Sequence, residues 1–304
     1  MTTNLYIDGE SALGRFGVRV TRGGYNGLLA YPSLREPDAN DWPEEDGIEV
    51  DLTDPKLEPR ELQLSLMTTT DSGQMDLVAY LSDPGYHTFS VPSLGREWRL
   101  RLAEQPSSNN HQRWATFTIK LAEDTPVRPE CITPDPGMAL PDSRYRLDDV
   151  PFSTYGVVID VARSALMRSP AAKLNMNRTV STVDGRIYDA DQLNFQSKEV
   201  TFKCHFNAVS MEAFWSCHDA LLEALTRPGE RQLYTEEIGK AYPCYYKNAS
   251  GFKIIRMDGP VVVEFNLTMV FTSFRLYETD DFLATEAGDW LITEDENYFF
   301  IDMK

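Results

Sequence analysis

The sequence predicts a mainly β protein with some helix (α+β): two tandem β-sandwich or barrel domains, each with one flanking helix, followed by a C-terminal β-hairpin. Two observations predict this class. Strand-like alternation is followed by one amphipathic helix and further strands, and this pattern occurs twice at a spacing of about 140 residues. The 304 residues have room for two cores. We expect a first domain at 1–122, a proline-rich linker at 123–152, a second domain at 153–275 and an extension at 276–304.

The second domain shows the pattern most clearly. Residues 198–204 alternate polar with apolar side chains, which is typical of a half-buried strand, and 261–271 alternate in the same way. Between them, apolar residues recur at helical spacing until Arg227-Pro228-Gly229 ends the helix. The apolar positions of this helix are Met211, Phe214, Trp215, Leu221, Leu222 and Leu225. We expect this face to pack on its own domain.

The first domain repeats these features in the same order, which indicates two copies of one structural unit. The matching pairs are Phe16-Gly17-Val18 with Tyr155-Gly156-Val157, Asp46-Gly47 with Asp184-Gly185, Leu57 with Phe195, 61–64 with 199–202, and Pro84-Gly85 with Pro228-Gly229. The first copy has a shorter helix, predicted within 71–82.

The connecting and terminal segments differ in character. Six prolines between 123 and 152 exclude a continuous helix and most ladder hydrogen bonds, so this stretch is predicted to be a linker. Beyond Arg275, the segments 283–286 and 291–294 resemble each other around Ala287-Gly288-Asp289, which predicts a β-hairpin. The apolar run 298–301 after it pairs either with the second domain or with another subunit.

Charge and hydropathy exclude several classes of partner. Forty-seven acidic and 29 basic residues give a formal charge of −18, which opposes binding to nucleic acid or to an anionic membrane. No apolar run approaches the roughly 20 residues of a membrane span, and Met1-Thr2-Thr3-Asn4 does not resemble a secretory signal. We expect synthesis in the cytosol and no membrane insertion.

Motifs for catalysis, cofactor binding and metal binding are not found. Gly-x-Ser-x-Gly, the phosphate-binding glycine loop and His-Glu-x-x-His do not occur, so we expect neither an enzyme nor a cofactor. Cys204-His205 and Cys217-His218 suggest zinc. Neighbours on a strand point to opposite faces, so Cys204 and His205 could hardly both face one metal, and buried thiols are the better interpretation. The acidic stretch 46–51 lacks the ligand series of a calcium loop.

Two long loops occupy the same place in the two copies. The loop Pro37–Pro59 is acidic, whereas Lys173–Gln192 carries mixed charge, and loops of this length are functional or disordered. We expect both to be solvated or to face partners of unlike charge.

The order of these elements resembles the N-terminal domain of phage distal tail proteins and the wider tail-tube fold, over roughly residues 5–275. The resemblance rests on Tyr155-Gly156-Val157, the Asp184-Gly185 hairpin, the helix 210–225 and Pro228-Gly229, and on Leu5–Gly9 followed by Phe16-Gly17-Val18 at the start. It implies a structural ring protein of a phage or prophage virion tail, tail tip or baseplate, made in the bacterial host cytoplasm. Its partners would be further copies of itself, in a trimeric or hexameric ring, and other tail proteins, with no direct recognition of nucleic acid.

The tandem arrangement departs from a simple distal tail protein and leaves the ring stoichiometry open. The candidate assembly-interface residues are Glu44, Glu45, Asp46, Ile48, Arg178, Arg186, Ile187 and Tyr188.

Two alternatives from other classes are kept. A carbohydrate- or receptor-binding β-sandwich requires Trp42, Trp98 and Trp290 to line one shallow groove. A hydrolase with its site between the domains requires converging carboxylates with perturbed pKa values.

Overall fold

The computed structural model describes residues 4–70, 72–110, 114–130, 132–160, 162–174, 177–182, 184–188 and 193–276. Contacts between residues group Met1–Phe274 into one compact unit and Arg275–Lys304 into a second. The fold is mainly β with few helices, which confirms the predicted class. The predicted hairpin within 276–304 lies outside the described residues, and the domain boundaries at 122 and 152 stay predictions.

Residues 4–123, the first half, form one seven-stranded antiparallel sheet and one small hairpin. The nine strands are β1 (Tyr6–Ile7), β2 (Glu10–Ser11), β3 (Val18–Val20), β4 (Ala39–Asn40), β5 (Glu49–Val50), β6 (Arg60–Thr68), β7 (His87–Val91), β8 (Arg96–Asn110) and β9 (Ala115–Glu123). The sheet order is β2-β1-β7-β8-β9-β6-β3, and β4 pairs with β5 in a separate two-stranded sheet.

Residues 145–274, the second half, form a sheet of the same size and a hairpin in the same place. The strands are β10 (Tyr145–Leu147), β11 (Val150–Pro151), β12 (Val157–Ile159), β13 (Asn177–Arg178), β14 (Ile187–Tyr188), β15 (Lys198–Ala208), β16 (Arg231–Thr235), β17 (Lys240–Arg256) and β18 (Val261–Phe271). The sheet order is β11-β10-β16-β17-β18-β15-β12, with β13 paired to β14. When the strands are numbered from the start of each half, the two orders are identical.

The helices also occupy corresponding places. The helices are α1 (Ala12–Phe16), α2 (Gly73–Leu81), α3 (Arg163–Leu166) and α4 (Met211–Leu225), with 3-10 turns at Asn26–Leu29 and Phe152–Tyr155. Helix α2 connects β6 to β7, and α4 connects β15 to β16, as the sequence predicts. Both α1 and the 3-10 turn Phe152–Tyr155 end at a glycine with positive φ, Gly17 and Gly156, before the third strand of each half.

Helix α4 has the local signals that its position requires. The Oγ atom of Ser210 accepts a hydrogen bond of 3.2 Å from the backbone N–H of Ala213, and Glu212 lies in the first turn, where the helix dipole favours a negative charge. The helix ends at Thr226, two residues before Pro228-Gly229. Ten of its residues are buried.

The core of the second half lies between α4 and the sheet. Strand β15 pairs with β18 over its whole length, so the alternating apolar residues of the two strands share one face. The rings of Phe206 and Phe265 stack at 4.8 Å, and Phe214 of α4 meets Phe206 edge-on at 5.3 Å.

A bent turn joins the first two strands of each half and is tied to the sheet in the same way. Asp8 has φ +50°, donates its N–H to the Thr88 carbonyl at 2.8 Å, and accepts the Thr88 N–H at 2.8 Å on its carboxylate. Asp148 has φ +49°, donates its N–H to the Gln232 carbonyl at 2.8 Å, and accepts the Gln232 N–H at 2.8 Å on its carboxylate. The two aspartates therefore play the same role in the two halves: each one ties the turn between the first two strands to the neighbouring strand.

Candidate functional site

The acidic loop of the first half is docked on the second half of the same chain. The N–H of Gly47 donates to the carbonyl of Phe195 at 2.7 Å, and the N–H of Ile48 donates to Thr272 O at 2.8 Å. The carboxylate of Asp46 accepts the N–H of Phe195 at 2.7 Å. The sequence predicted a solvated or partner-facing loop, whereas residues 46–48 are hydrogen-bonded to Phe195 and Thr272 of the same chain.

The backbone of this loop leaves no room for a side chain at Gly47. Its φ is +71°, and a Cβ atom placed there would lie 1.7 Å from the carbonyl oxygen of Thr272. Glycine is thus required both for the left-handed conformation and for the close approach of two backbones.

A buried lysine of the second half also binds the docked loop. Lys173 donates from Nζ to the carbonyl of Trp42 at 2.7 Å and to the carbonyl of Gly47, and it pairs with Asp41 at 2.6 Å. Its side chain is only 5% exposed. A buried ammonium needs several acceptors to offset its lost hydration, and the loop provides them.

Helix α4 forms a second contact between the halves. The indole N–H of Trp215 donates to the carbonyl of Leu94 at 2.6 Å, and its ring meets Trp98 at 6.0 Å. The guanidinium carbon of Arg96 lies 4.2 Å from the centre of the Trp215 ring, a cation–π contact. Trp215 is buried as predicted, but it packs on the other half as well as on its own. We call this contact and the docked loop together the seam.

A buried polar cluster lies beside Trp215. Arg96 donates two hydrogen bonds to the carboxylate of Asp219, and His218 Nδ1 lies 2.9 Å from Asp219 Oδ1. His218 Nε2 lies 3.0 Å from the carbonyl oxygen of Leu29, and Tyr31 donates its hydroxyl to the carbonyl of His218 at 2.7 Å. Burial raises the pKa of Asp219, but hydrogen bonds from His218 and Arg96 outweigh burial and hold this pKa below its usual value. The cluster thus links the two halves through buried hydrogen bonds.

A cleft of about 370 Å³ opens next to this cluster, and two carboxylates that line it form ion pairs with arginines. Glu123 pairs with Arg60 at 2.7 Å, and Asp219 pairs with Arg96. Both ring nitrogens of His218 face protein acceptors, so the ring has no nitrogen left for a substrate. The arrangement therefore suits structural cross-linking better than acid–base catalysis.

The predicted interface residues fall into three groups. Glu44 and Glu45 are exposed, whereas Asp46 and Ile48 are half-buried in the seam. Arg186 is exposed at the turn of the β13–β14 hairpin, in which Arg178 is opposite Ile187 and Asn177 is opposite Tyr188. The side chains of Arg178, Ile187 and Tyr188 lie outside the described part of the structure. The use of all these residues in assembly stays a prediction.

Lys173, Phe195 and Thr272 were not among the predicted site residues. Phe195 was visible in the sequence only as the match of Leu57 between the two copies. No pattern in the sequence indicates that a loop of one copy binds the backbone of the other.

The tryptophans predicted for a carbohydrate groove do not share a surface. Trp98 is only 5% exposed and packs in the seam, Trp42 is 50% exposed, and Trp290 lies outside the described residues. The described cysteines Cys204, Cys217 and Cys244 are buried, and burial raises the pKa of Cys217 to about 11. Within the described residues, no group of three or more His, Cys, Asp or Glu side chains is placed to hold a metal ion. No described helix is both long enough and apolar enough to cross a membrane.

Known proteins resemble this chain only distantly. No family model matches the chain, and no curated protein matches it. Among solved structures, the chain is similar to the Dit (gp 19.1) protein of SPP1, described as a paradigm of the hub adsorption apparatus in phages that infect Gram-positive bacteria. The identity is 10%, the alignment covers 89% of this chain and 99% of that one, and the TM-score is 0.27.

Proposed function

We propose that this chain is a structural protein of a phage or prophage tail tip or baseplate. In that role it is a distal tail or hub-like ring component that joins the tail tube to the adsorption apparatus. The observation that carries the proposal is the occurrence of one strand order twice in a single chain, with a helix and a hairpin inserted at corresponding places. We take the two halves to be tandem copies of one tail-tube-like unit.

The way in which the halves meet supports a ring. The first half contributes its loop and the β7–β8 turn to the seam, and the second half contributes α4 and the backbone around Phe195. The two halves thus use different surfaces, which is the defining property of a head-to-tail contact. Such contacts produce rings when the rotation closes.

The composition is compatible with passage of DNA through such a ring. A formal charge of −18 opposes adhesion of phosphates to the protein, so nucleic acid would pass without being held.

The proposal is tested on particles from a lysate of cells that carry the gene. Antibodies against the chain, bound to purified particles and viewed by immunogold electron microscopy, should label the end of the tail. Deleting the gene should give tails that lack the adsorption apparatus. Labelling of capsids, or absence of the chain from purified particles, would refute the assignment.

A further inference from the structure

The first half carries a second copy of the surface on which the acidic loop docks. In the second half, this surface is a bridge in which Ala172 is opposite Phe195. It is fixed by hydrogen bonds from Lys173 N to Asn194 O at 2.7 Å and from Gln196 N to Ala171 O at 2.8 Å. We call it the second bridge.

In the first half, Leu34 is opposite Leu57 in the same kind of bridge, here called the first bridge. Arg35 N donates to Lys56 O at 2.7 Å, and Glu58 N donates to Ser33 O at 2.9 Å. These are the corresponding hydrogen bonds, residue for residue. Leu57 therefore presents its N–H and C=O in the direction in which Phe195 presents the groups that bind Asp46 and Gly47.

The chain itself uses only one edge of the first bridge: Leu34 donates its N–H to the carbonyl of Lys247 at 2.9 Å, whereas the edge at Leu57 is left open. Within the described residues, no hydrogen bond reaches the backbone N–H or C=O of Leu57. Arg35 corresponds to Lys173 and keeps the positive charge, but its side chain is 59% exposed and pairs with the exposed Glu58 at 2.8 Å. The binding surface and its cation are both present without the loop.

The second half carries a second copy of the loop. Asp184-Gly185 corresponds to Asp46-Gly47, and Gly185 has φ +83° where Gly47 has +71°. Both residues of the second loop are exposed, and no heavy atom lies within 4 Å of a Cβ built on Gly185. Gly185 thus has a conformation suited to close backbone contact, yet it makes no such contact within the described chain.

Helix α2 shows the same difference between the copies. The seam face of α4 includes His218, Asp219 and Leu222, which are buried. The corresponding face of α2 includes Met75, whose side chain is 72% exposed, although the sheet-facing Leu77 and Leu81 are buried like their counterparts in α4. The first half is therefore missing a neighbour on the side where the second half has one.

We infer that copies of this chain bind one another head to tail, with the Asp184-Gly185 loop of one copy docked on the first bridge of the next. The Asp184 carboxylate accepts the N–H of Leu57 in the neighbour, Arg35 of the neighbour donates to the loop, and the exposed face of α2 is covered. The contact between chains then reproduces the seam within each chain. This inference rests on the proposed function for its ring geometry, and it specifies which surfaces meet.

A cysteine pair tests the contact directly. Asp184→Cys combined with Leu57→Cys in the full chain should give, on mild oxidation, a ladder of intermolecular disulfide-linked species on a non-reducing gel. Neither single variant should give the ladder. The matched pair Asp46→Cys with Phe195→Cys should close within one chain and leave its mass unchanged. The inference is overturned if the first pair closes within the chain or fails to cross-link.

Gly185→Asn provides a second test that does not depend on cysteine chemistry. Asparagine tolerates a positive φ, and the free loop has space for it, but its Cβ would collide with the neighbour's backbone in the docked state. We expect self-association, measured by sedimentation over a concentration series, to weaken by about tenfold or more. The control is Gly9→Asn, at an Asp-Gly turn with φ +82° and equal space. Equal association of wild type and Gly185→Asn, or a wild type that never associates, would overturn the inference.

These outcomes are separate from the test of the proposed function. Wild-type self-association that Gly185→Asn leaves unchanged, together with labelling at the tail end, would remove this contact and keep the tail role. A cross-linked ladder from a chain that is absent from particles would keep the contact and remove the tail role.

Discussion

The first and second halves share a strand order but differ in how much of their surface is covered. Helix α4 is buried on two sides, by its own sheet and by the first half, whereas α2 packs within its own half, on the sheet and on Phe16 of α1, and exposes Met75. The Asp46-Gly47 loop is docked, and the Asp184-Gly185 loop is exposed. The comparison teaches that the strand order does not depend on which element is covered: the first half has a docked loop and an uncovered helix, the second half has a covered helix and an exposed loop, and both have the same sheet.

The largest expected effect comes from the tryptophan in the seam. Trp215→Ala should lower the free energy of unfolding by about 4 kcal/mol, because it removes a buried ring and its hydrogen bond to Leu94. Met75→Ala, on the exposed face of α2, should change it by less than about 0.5 kcal/mol. Chemical denaturation of both variants measures the difference. Similar values would mean that α4 is no more covered than α2.

The glycine pair should show a slightly smaller difference. Gly47→Ala should cost about 3 kcal/mol, since both the positive φ and the collision with Thr272 oppose a Cβ there. Gly185→Ala has the same strain in φ but an open surrounding, so about 1 kcal/mol is expected. Thermal or chemical unfolding of the two purified variants gives the comparison. Equal costs would show that the loop is not held against Thr272 in solution.

The two basic residues at the bridges should differ in the same direction. Lys173→Met should cost about 2 kcal/mol, because the carbonyls of Trp42 and Gly47 lose a charged donor. Arg35→Met should be nearly neutral for the isolated chain, since its pair with Glu58 is exposed. Denaturation at a concentration where the chain is monomeric is the measurement. If only Arg35→Met lowered the free energy of unfolding strongly, the first bridge, and not the second, would be the one that holds a loop in solution.

The smallest effect is a dependence on pH that is specific to the seam. The folded-state pKa of Asp219 is below its usual value, so its contribution is complete above the unfolded-state pKa of about 3.9 and is lost as pH falls through the folded value. Asp219→Asn should therefore cost about 1 kcal/mol at neutral pH. The difference between wild type and variant should shrink in acid. A difference that stays constant down to about pH 2 would exclude the carboxylate as its source.

The fold could be predicted largely from periodicity, whereas the site could not. Alternation in 198–204 and 261–271 and the helical spacing from Met211 to Leu225 depend on local sequence, so β15, β18 and α4 were found. The matched Asp-Gly turns located the hairpins β4–β5 and β13–β14. The docking of one loop was missed because it uses backbone atoms of Phe195 and Thr272, and backbone atoms carry no sequence signal.

Trp215 illustrates the same limit on the helix. Its spacing predicted burial, and the structure confirms burial, but spacing on one helix gives no information about which partner covers each edge of the apolar face. The uncharged contacts with Leu94 and Trp98 depend on residues more than 100 positions away, a separation at which sequence patterns are silent.

The seam also sets an order of events during synthesis. The whole first half leaves the ribosome before α4 is made, and about 90 residues separate Glu123 from Trp215. At synthesis rates of about 5–20 residues per second, Tyr31, Leu94 and Trp98 stay uncovered for about 5–20 seconds after the first half is complete. During that interval the nascent chain displays an apolar surface that fits the α4 of any other copy whose seam has not yet formed. The speed of translation from Glu123 to Trp215, which includes the proline-rich stretch before β10, therefore sets how long the seam surface of each new chain is exposed to other copies.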